Sequence, residues 1–438
     1  MPTSASLSER SFASPREDGK TKLRKLALLA ALAAPFPALA TTGYFQHGYG
    51  LKAKGMGGVG IALPQDALAP ATNPAGVGFI GNRLDAGLDW FRPIRDSEIV
   101  GNMVPGVDGT YSGSGEKNFF IPEFGVSLQF GQNLAVGLAV YGNGGMNTTY
   151  NRSPFTGFGG QSPAGVDLIQ MFIAPTVAFK PNPNHSFGVS LNLADQRFSA
   201  DGLQPFDNPA FSVAPGNVTN RGDDSSTGWG LRLGWTGKMS DTVTLGATYQ
   251  TKTRMKPFDK YRGLFAEGGD FDIPENYGIG IAIKATPKVA LAGDIQRINY
   301  GKVKSVGNPV DCFFAGTCQL GASNGPGFGW RNTTVYKIGA SYEWSKDLTL
   351  RAGFVTLRQP IPANQTLFNI LAPGVVEDHL TLGATWALGA GKELTVGYMH
   401  AFKKRIQGSG SIPPGFGGGN ANLQMYQNSL GVALGWKM

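Results

Sequence analysis

The feature that most constrains this chain is the rhythm of its connections. Fourteen stretches alternate apolar and polar residues with period two, over 84–93, 119–130, 134–145, 168–180, 185–198, 227–238, 242–254, 270–284, 288–300, 331–343, 347–358, 375–388, 392–406 and 423–438. That period gives a strand one apolar and one polar face. Tight turns (131–133, 181–184, 239–241, 285–287, 344–346, 389–391) alternate without exception with long connections (94–118, 146–167, 199–226, 255–269, 301–330, 359–374, 407–422). A soluble sandwich has no reason to collect every long loop at one end. An outer-membrane barrel has one: short turns on one side, long loops on the other and an even strand count.

The faces agree with a wall in lipid. Leu84, Ala86, Leu88 and Trp90 oppose Asp85, Gly87 and Asp89, and Val243, Leu245, Ala247 and Tyr249 oppose Thr244, Gly246 and Thr248. Trp229, Leu231, Leu233 and Trp235 share one face, with aromatics near both ends as an interfacial girdle requires. Beyond residue 40 no run approaches the roughly 20 apolar residues of a membrane helix. A closed barrel pairs every backbone N–H and C=O within lipid, which an open sheet does not. The expected fold is all-β, a 14-stranded antiparallel transmembrane β-barrel over 84–438.

The N-terminus reads as an export signal. Lys20, Lys22, Arg24 and Lys25 precede LALLAALAAPFPALA, and Ala38-Leu39-Ala40 is an A-x-A cleavage site. Residues 1–40 are therefore expected to be leader and signal peptide, with the mature chain starting near Thr41. Net charge is +8, of which this leader carries three, and the remaining cations are dispersed instead of forming a nucleic-acid stripe. The two cysteines, Cys312 and Cys318 in DCFFAGTC, read as a small loop disulfide of an exported protein. No metal or other cofactor is expected, because no histidine accompanies the pair.

GMGGVG (Gly55, Gly57, Gly60) spells the dinucleotide fingerprint G-x-G-x-x-G. That motif carries meaning only between a buried strand and a helix, and GYFQHGYGLKAKG before it supplies no such strand. Fourteen strands enclose a lumen too wide for wall side chains to fill. Residues 41–83, rich in Gly and Ala, are placed to plug it, with glycine permitting close backbone approach.

With these pieces in order, the chain resembles the FadL/TodX family of outer-membrane transporters for long-chain fatty acids and other hydrophobic compounds. The resemblance rests on GMGGVGIALPQDALAPATNPAG (with Asp66, Asn73, Pro74 and Ala75), on YGNGG after strand three, and on WRNTTVYKIGASY, LRAGFVTLRQPIPANQ and LTVGYMHAF. It implies passive uptake through a barrel closed by an N-terminal hatch. Substrate is captured by apolar outer loops, held in the lumen and released sideways at an inward kink in strand three. Gly142, Asn143, Gly144 and Gly145 fit that kink, since glycine permits a bend. Phe206, Phe211, Leu264 and Phe265 are candidates for the outer groove. The resemblance also sets Arg331 and Arg197 near the substrate carboxylate. Arg331 shares parity with Lys337, Gly339 and Ser341 on the lumen face. Arg197 shares parity with lipid-facing Val189, Leu191 and Leu193 unless a bulge near Asp195 reverses it.

Expected partners are a fatty acid or hydrocarbon ligand and outer-membrane lipid and lipopolysaccharide, with no nucleic acid, around a monomer. An aromatic or alkane hydrocarbon channel is the alternative. A general porin would need no plug. Catalysis would need a nucleophile with a positioned base, and the four histidines (His47, His185, His379, His400) are scattered with no G-x-S-x-G.

Overall fold

The computed structural model describes residues 42–438, so the expected leader and signal peptide lie outside the described residues. Fourteen antiparallel strands build one closed wall. They are β1 Arg83–Val100, β2 Phe119–Phe130, β3 Leu134–Tyr150, β4 Ala164–Asn182, β5 His185–Asp201, β6 Asp224–Lys238, β7 Val243–Gln250, β8 Asn276–Thr286, β9 Val289–Ile298, β10 Thr333–Ser345, β11 Leu348–Leu357, β12 Asp378–Gly389, β13 Lys392–Ile406 and β14 Asn420–Lys437. Each pairs with its chain neighbours, and β14 returns to β1 in one unbroken register from Arg83↔Lys437 to Val100↔Asn420. Two short strands, Gly109–Ser112 and Arg254–Met255, lie in long loops and add to the sheet at its rim.

The period-two faces sort as expected. Leu430, Val432, Leu434 and Trp436 on β14, Trp229 and Leu233 on β6, and Ile279 and Ile281 on β8 are exposed on the outside of the wall. Alternate residues, such as Asp85 and Asp89 on β1, are buried inside. No described helix is long and apolar enough to cross a membrane, and the strands form the wall instead.

Strand ends are where pattern and structure part. β1 continues through Pro93, which sits opposite Gln427, out to Val100. Residues 94–100 are therefore wall, although a proline reads as a strand breaker. β7 stops at Gln250 and β8 starts only at Asn276, after Pro274. β10 starts at Thr333, because the Arg331 amide bonds the Pro360 carbonyl (2.9 Å) and not a neighbouring strand.

Candidate functional site

The site is built from three layers: residues 42–82 inside the barrel, an interrupted ladder in β3, and a mat of aromatic loops above.

Glycine brings the inner segment onto the wall. A Cβ on Gly55 would lie 2.8 Å from Gly383 Cα, and one on Gly57 (φ +70°) 2.7 Å from the Ile338 carbonyl oxygen. The facing wall positions, Gly339, Gly353 and Gly383, are glycines too, so backbone meets backbone. The Gly57 amide donates to Thr381 Oγ1 (2.7 Å), and the amides of Gly60 and Ile61 donate to Asp294 (2.8 and 3.1 Å). The fingerprint-like glycines thus make close contact with the wall, and the Gly57 and Gly60 amides are taken by wall side chains.

Asn73 fastens the far end. Its Oδ1 accepts the Ala75 amide (3.1 Å), and its Nδ2 reaches the Ile61 and Trp235 carbonyls (2.7 and 2.9 Å). Pro74 begins a short 3₁₀ helix, Pro74–Phe79, whose Ala75 carbonyl accepts from Ser186 on β5 (2.8 Å). Arg232 on β6 donates to the Thr72 carbonyl (3.0 Å). Cations on the short helix Leu51–Lys54 meet acids on the wall: Lys54 lies 3.1 Å from Asp89 and 3.3 Å from Glu123, and Lys52 pairs with Glu393. Burial works against the Lys54 charge, yet Glu123 and Asp89 hold its pKa above the ordinary lysine value. Burial pushes the Asp66 carboxyl up to about 7, with Asp85 and Glu123 adding to the rise and Lys52 and Arg83 opposing it.

Strand β3 carries the interruption. Its ladder with β2 ends at Glu123↔Tyr141, while its pairing with β4 continues to Tyr150↔Ala164. The register with β4 shifts between Gly142 and Gly144, leaving Asn143 bulged inward, where it donates to Gln170 (2.9 Å). On the β2 side the vacated edge is taken by the inner segment. Phe45 bridges Gly144, and the Gly145 amide donates to the Tyr44 carbonyl (3.0 Å). All four YGNGG residues named from sequence sit at this break. Beside it lies a cavity of about 30 Å³ lined by Gly43, Phe91, Pro93, Arg95, Gly145, Met146, Trp330 and Met425 among others. Arg95 is buried there, donates to the Glu116 carbonyl, and keeps an Nε with no hydrogen-bond partner.

Above, the long loops converge on a second cavity of about 50 Å³, nearly all apolar, lined by Phe155, Val166, Phe198, Leu203, Phe206, Leu264, Phe265, Leu320, Phe328, Phe368 and Leu371 with Ser305 and others. Phe206, Leu264 and Phe265 thus come together. Phe211 packs beside them, its ring centroid 6.1 Å from Phe206 and 5.4 Å from Phe313. Cys312 and Cys318 are joined by a disulfide that closes the loop holding Phe313 and Phe314.

Two expectations require correction. Arg331 does not face the lumen: it is exposed, and lines a cavity on the outside of the barrel with Arg297 and Arg358. Its parity with Lys337 fails because residues 331 and 332 precede the strand and do not follow its pleat. Arg197 lies half-buried on the outward face of β5, since the register with β4 and β6 runs past Asp195 without a bulge. Among the buried cations of the wall, the sequence pattern points to Lys337 but not to Arg95 or Arg232. Pro93 masks the continuation of β1 that carries Arg95, and Arg232 lies on the face of β6 opposite its apolar residues. The alternation Phe91, Pro93, Arg95, Ser97 continues the inward face of β1 through Arg95.

The profile of the family described as outer membrane protein transport protein (OMPP1/FadL/TodX) matches residues 38–411. Among solved structures the chain is similar to the Pseudomonas putida toluene transporter TodX, with 18% identity over 90% of this chain and 99% of that one and a TM-score of 0.67. It is similar also to a Pseudomonas aeruginosa FadL homologue (16%, 90% and 99%, 0.68) and to the Ralstonia pickettii toluene transporter TbuX (17%, 90% and 99%, 0.61). Among curated proteins none matches in sequence. The chain belongs to the OMPP1/FadL/TodX family, the outer-membrane β-barrels of Gram-negative bacteria that transport hydrophobic compounds.

Proposed function

We propose that this barrel takes up long-chain fatty acids. In this reading the chain acts as a monomer without a cofactor, and residues 41–83 serve as its movable hatch. The apolar loop cavity captures the alkyl chain, the carboxylate meets Arg95, and the ligand leaves sideways where β2 and β3 part. Burying about ten methylenes contributes roughly 8 kcal/mol at ~0.8 each, before association costs. The loop cavity, at about 50 Å³, is far below the roughly 300 Å³ of ordinary ligand pockets. Capture therefore requires the loops to part.

The observation that carries the acid over a neutral ligand is the buried Arg95 guanidinium, with its free Nε, in a cavity beside the β3 break. A carboxylate leaving water needs such a partner, and Arg supplies charge-assisted hydrogen bonds. The alternative is a hydrocarbon channel. It is favoured by the almost wholly apolar lining of the loop cavity and by the toluene named for two of the similar structures. Displacement of a fluorescent fatty acid from the purified protein tests the choice. The proposal requires oleate to compete at lower concentration than hexadecane or toluene. Competition by toluene alone would move the assignment to the hydrocarbon branch.

A further inference from the structure

The outer cavity that Arg331 lines has a chemistry of its own. Arg297, at the outer end of β9, Arg358, just past β11, and Arg331, just before β10, all line it, and it encloses about 740 Å³. Arg297 is held by a hydrogen bond to Thr334 (2.8 Å). None of the three arginines makes an ion pair among the described residues, although carboxylates are near in sequence and space. Those carboxylates are engaged elsewhere: Glu275 with Lys302, Glu377 with Lys404, and Asp378 with the Thr356 hydroxyl (2.7 Å). Three guanidinium groups thus line the outer cavity without a direct ion pair among the described residues, beside the apolar Ile361 and Ile406.

Depth in the membrane follows from the register. Arg297 lies opposite Tyr277, and Tyr277 opposite Tyr249, both exposed on the lipid face at the long-loop end. Tyr336, also outward and exposed, sits one pleat further in, beside Ile295. Outward tyrosines in a lateral row mark the interface girdle of a barrel. The arginines therefore stand at headgroup level of the outer leaflet, above the acyl chains.

We propose that Arg297, Arg331 and Arg358 form a binding site on the outer wall for the phosphorylated headgroup of lipid A. Arg is suited to phosphate because its planar donors grip two oxygens at once. An anion there pairs directly with guanidinium groups that have no ion-pair partner among the described residues, and the lipid's acyl chains continue down the apolar wall past Tyr336 and Ile338. The site stands apart from the transport path inside the barrel.

Native mass spectrometry of the delipidated, purified protein titrated with lipid A tests this. The comparison is between wild type and the variant carrying Arg297→Gln, Arg331→Gln and Arg358→Gln. A control variant loses the same charge at the short-turn end (Lys284→Gln, Lys288→Gln, Lys346→Gln). All sites are exposed or at the rim, and heat-modifiable migration verifies folding. Loss of these charge-assisted contacts should weaken lipid A binding by at least about tenfold, with the control unchanged. Lipid A stripped of both phosphates should bind wild type as weakly as it binds the arginine variant. Equal binding of intact lipid A to wild type and arginine variant would overturn the site, as would equal weakening in the control. Displacement of lipid A by micromolar inorganic phosphate would overturn the lipid assignment in favour of a free anion.

Discussion

Phe45 is the β partner that Gly144 has in place of strand β2. The bridge between them joins the inner segment to the one stretch of β3 that has lost its neighbour. A side chain on Gly144 would overlap the Tyr44 carbonyl oxygen, so glycine at this position is a condition of the contact. We expect Gly144→Val to leave a heat-modifiable barrel but to expel residues 42–46 from the ladder. Hydrogen exchange at the Gly145 amide, now bonded to Tyr44, should rise about 2- to 10-fold for a lost hydrogen bond, and oleate uptake should fall. Unchanged exchange would show that the segment tolerates the side chain and that the bridge is incidental.

Asn73 gives the second prediction. Its side chain serves the Ala75 amide and two carbonyls, one on the inner segment and one on β6. Each buried group left unpaired costs about 1–3 kcal/mol; the Ala75 amide and the Ile61 carbonyl belong to the inner segment, while the Trp235 carbonyl sits in a strand that keeps its ladders to both neighbours. Asn73→Ala with Pro74→Ala should therefore preserve the barrel, loosen residues 59–79 to limited proteolysis and change the uptake rate of labelled oleate. Cells with matched surface expression provide the comparison. A protease-resistant double variant that transports at the native rate would contradict the anchoring role.

Asp66 makes the inner segment sensitive to pH. Packed, its carboxyl titrates at about 7 in place of 3.8. Between these values the packed state holds a proton that the opened state releases. Packing is thus fully stabilised below the opened-state value and loses stability as pH rises through about 7. Exchange of the Leu68 amide, which donates to Asp66 (3.1 Å), should quicken across that range beyond its intrinsic pH dependence. Asp66→Asn should flatten the profile. A native profile already flat from pH 5 to 8 would remove Asp66 from the account.

How much was legible in the sequence follows from which forces act locally. Lipid imposes an apolar face on every strand, so Leu430, Val432, Leu434 and Trp436 announce both the strand and its outward side. Turn and loop lengths likewise fix the alternation of ends. The break at Asn143 was visible because three glycines flank it. Strand ends were not visible, since Pro93 inside β1 and Arg331 outside β10 depend on which backbone partner is at hand. Local parity carries no information beyond the last paired residue, which is why Arg331 is misplaced by it, whereas Arg197 is paired, obeys its lipid-facing parity, and was set near the carboxylate by the resemblance alone. The buried pairing of Lys54 with Asp89 and Glu123 joins residues distant in the chain, and no spacing rule reports it.

In the proposed transport path, the cavity beside the β3 break receives a carboxylate. Binding of a fatty acid and of an alkane of equal length to wild type and Arg95→Leu, with purified protein, addresses it most directly. A charge-assisted contact contributes about 1.5–3 kcal/mol, so the fatty acid should bind roughly 10- to 100-fold more weakly to the variant while the alkane is little affected. Equal weakening of both ligands, or no change in either, would contradict the assignment of Arg95 and with it the preference for fatty acids over neutral hydrocarbons.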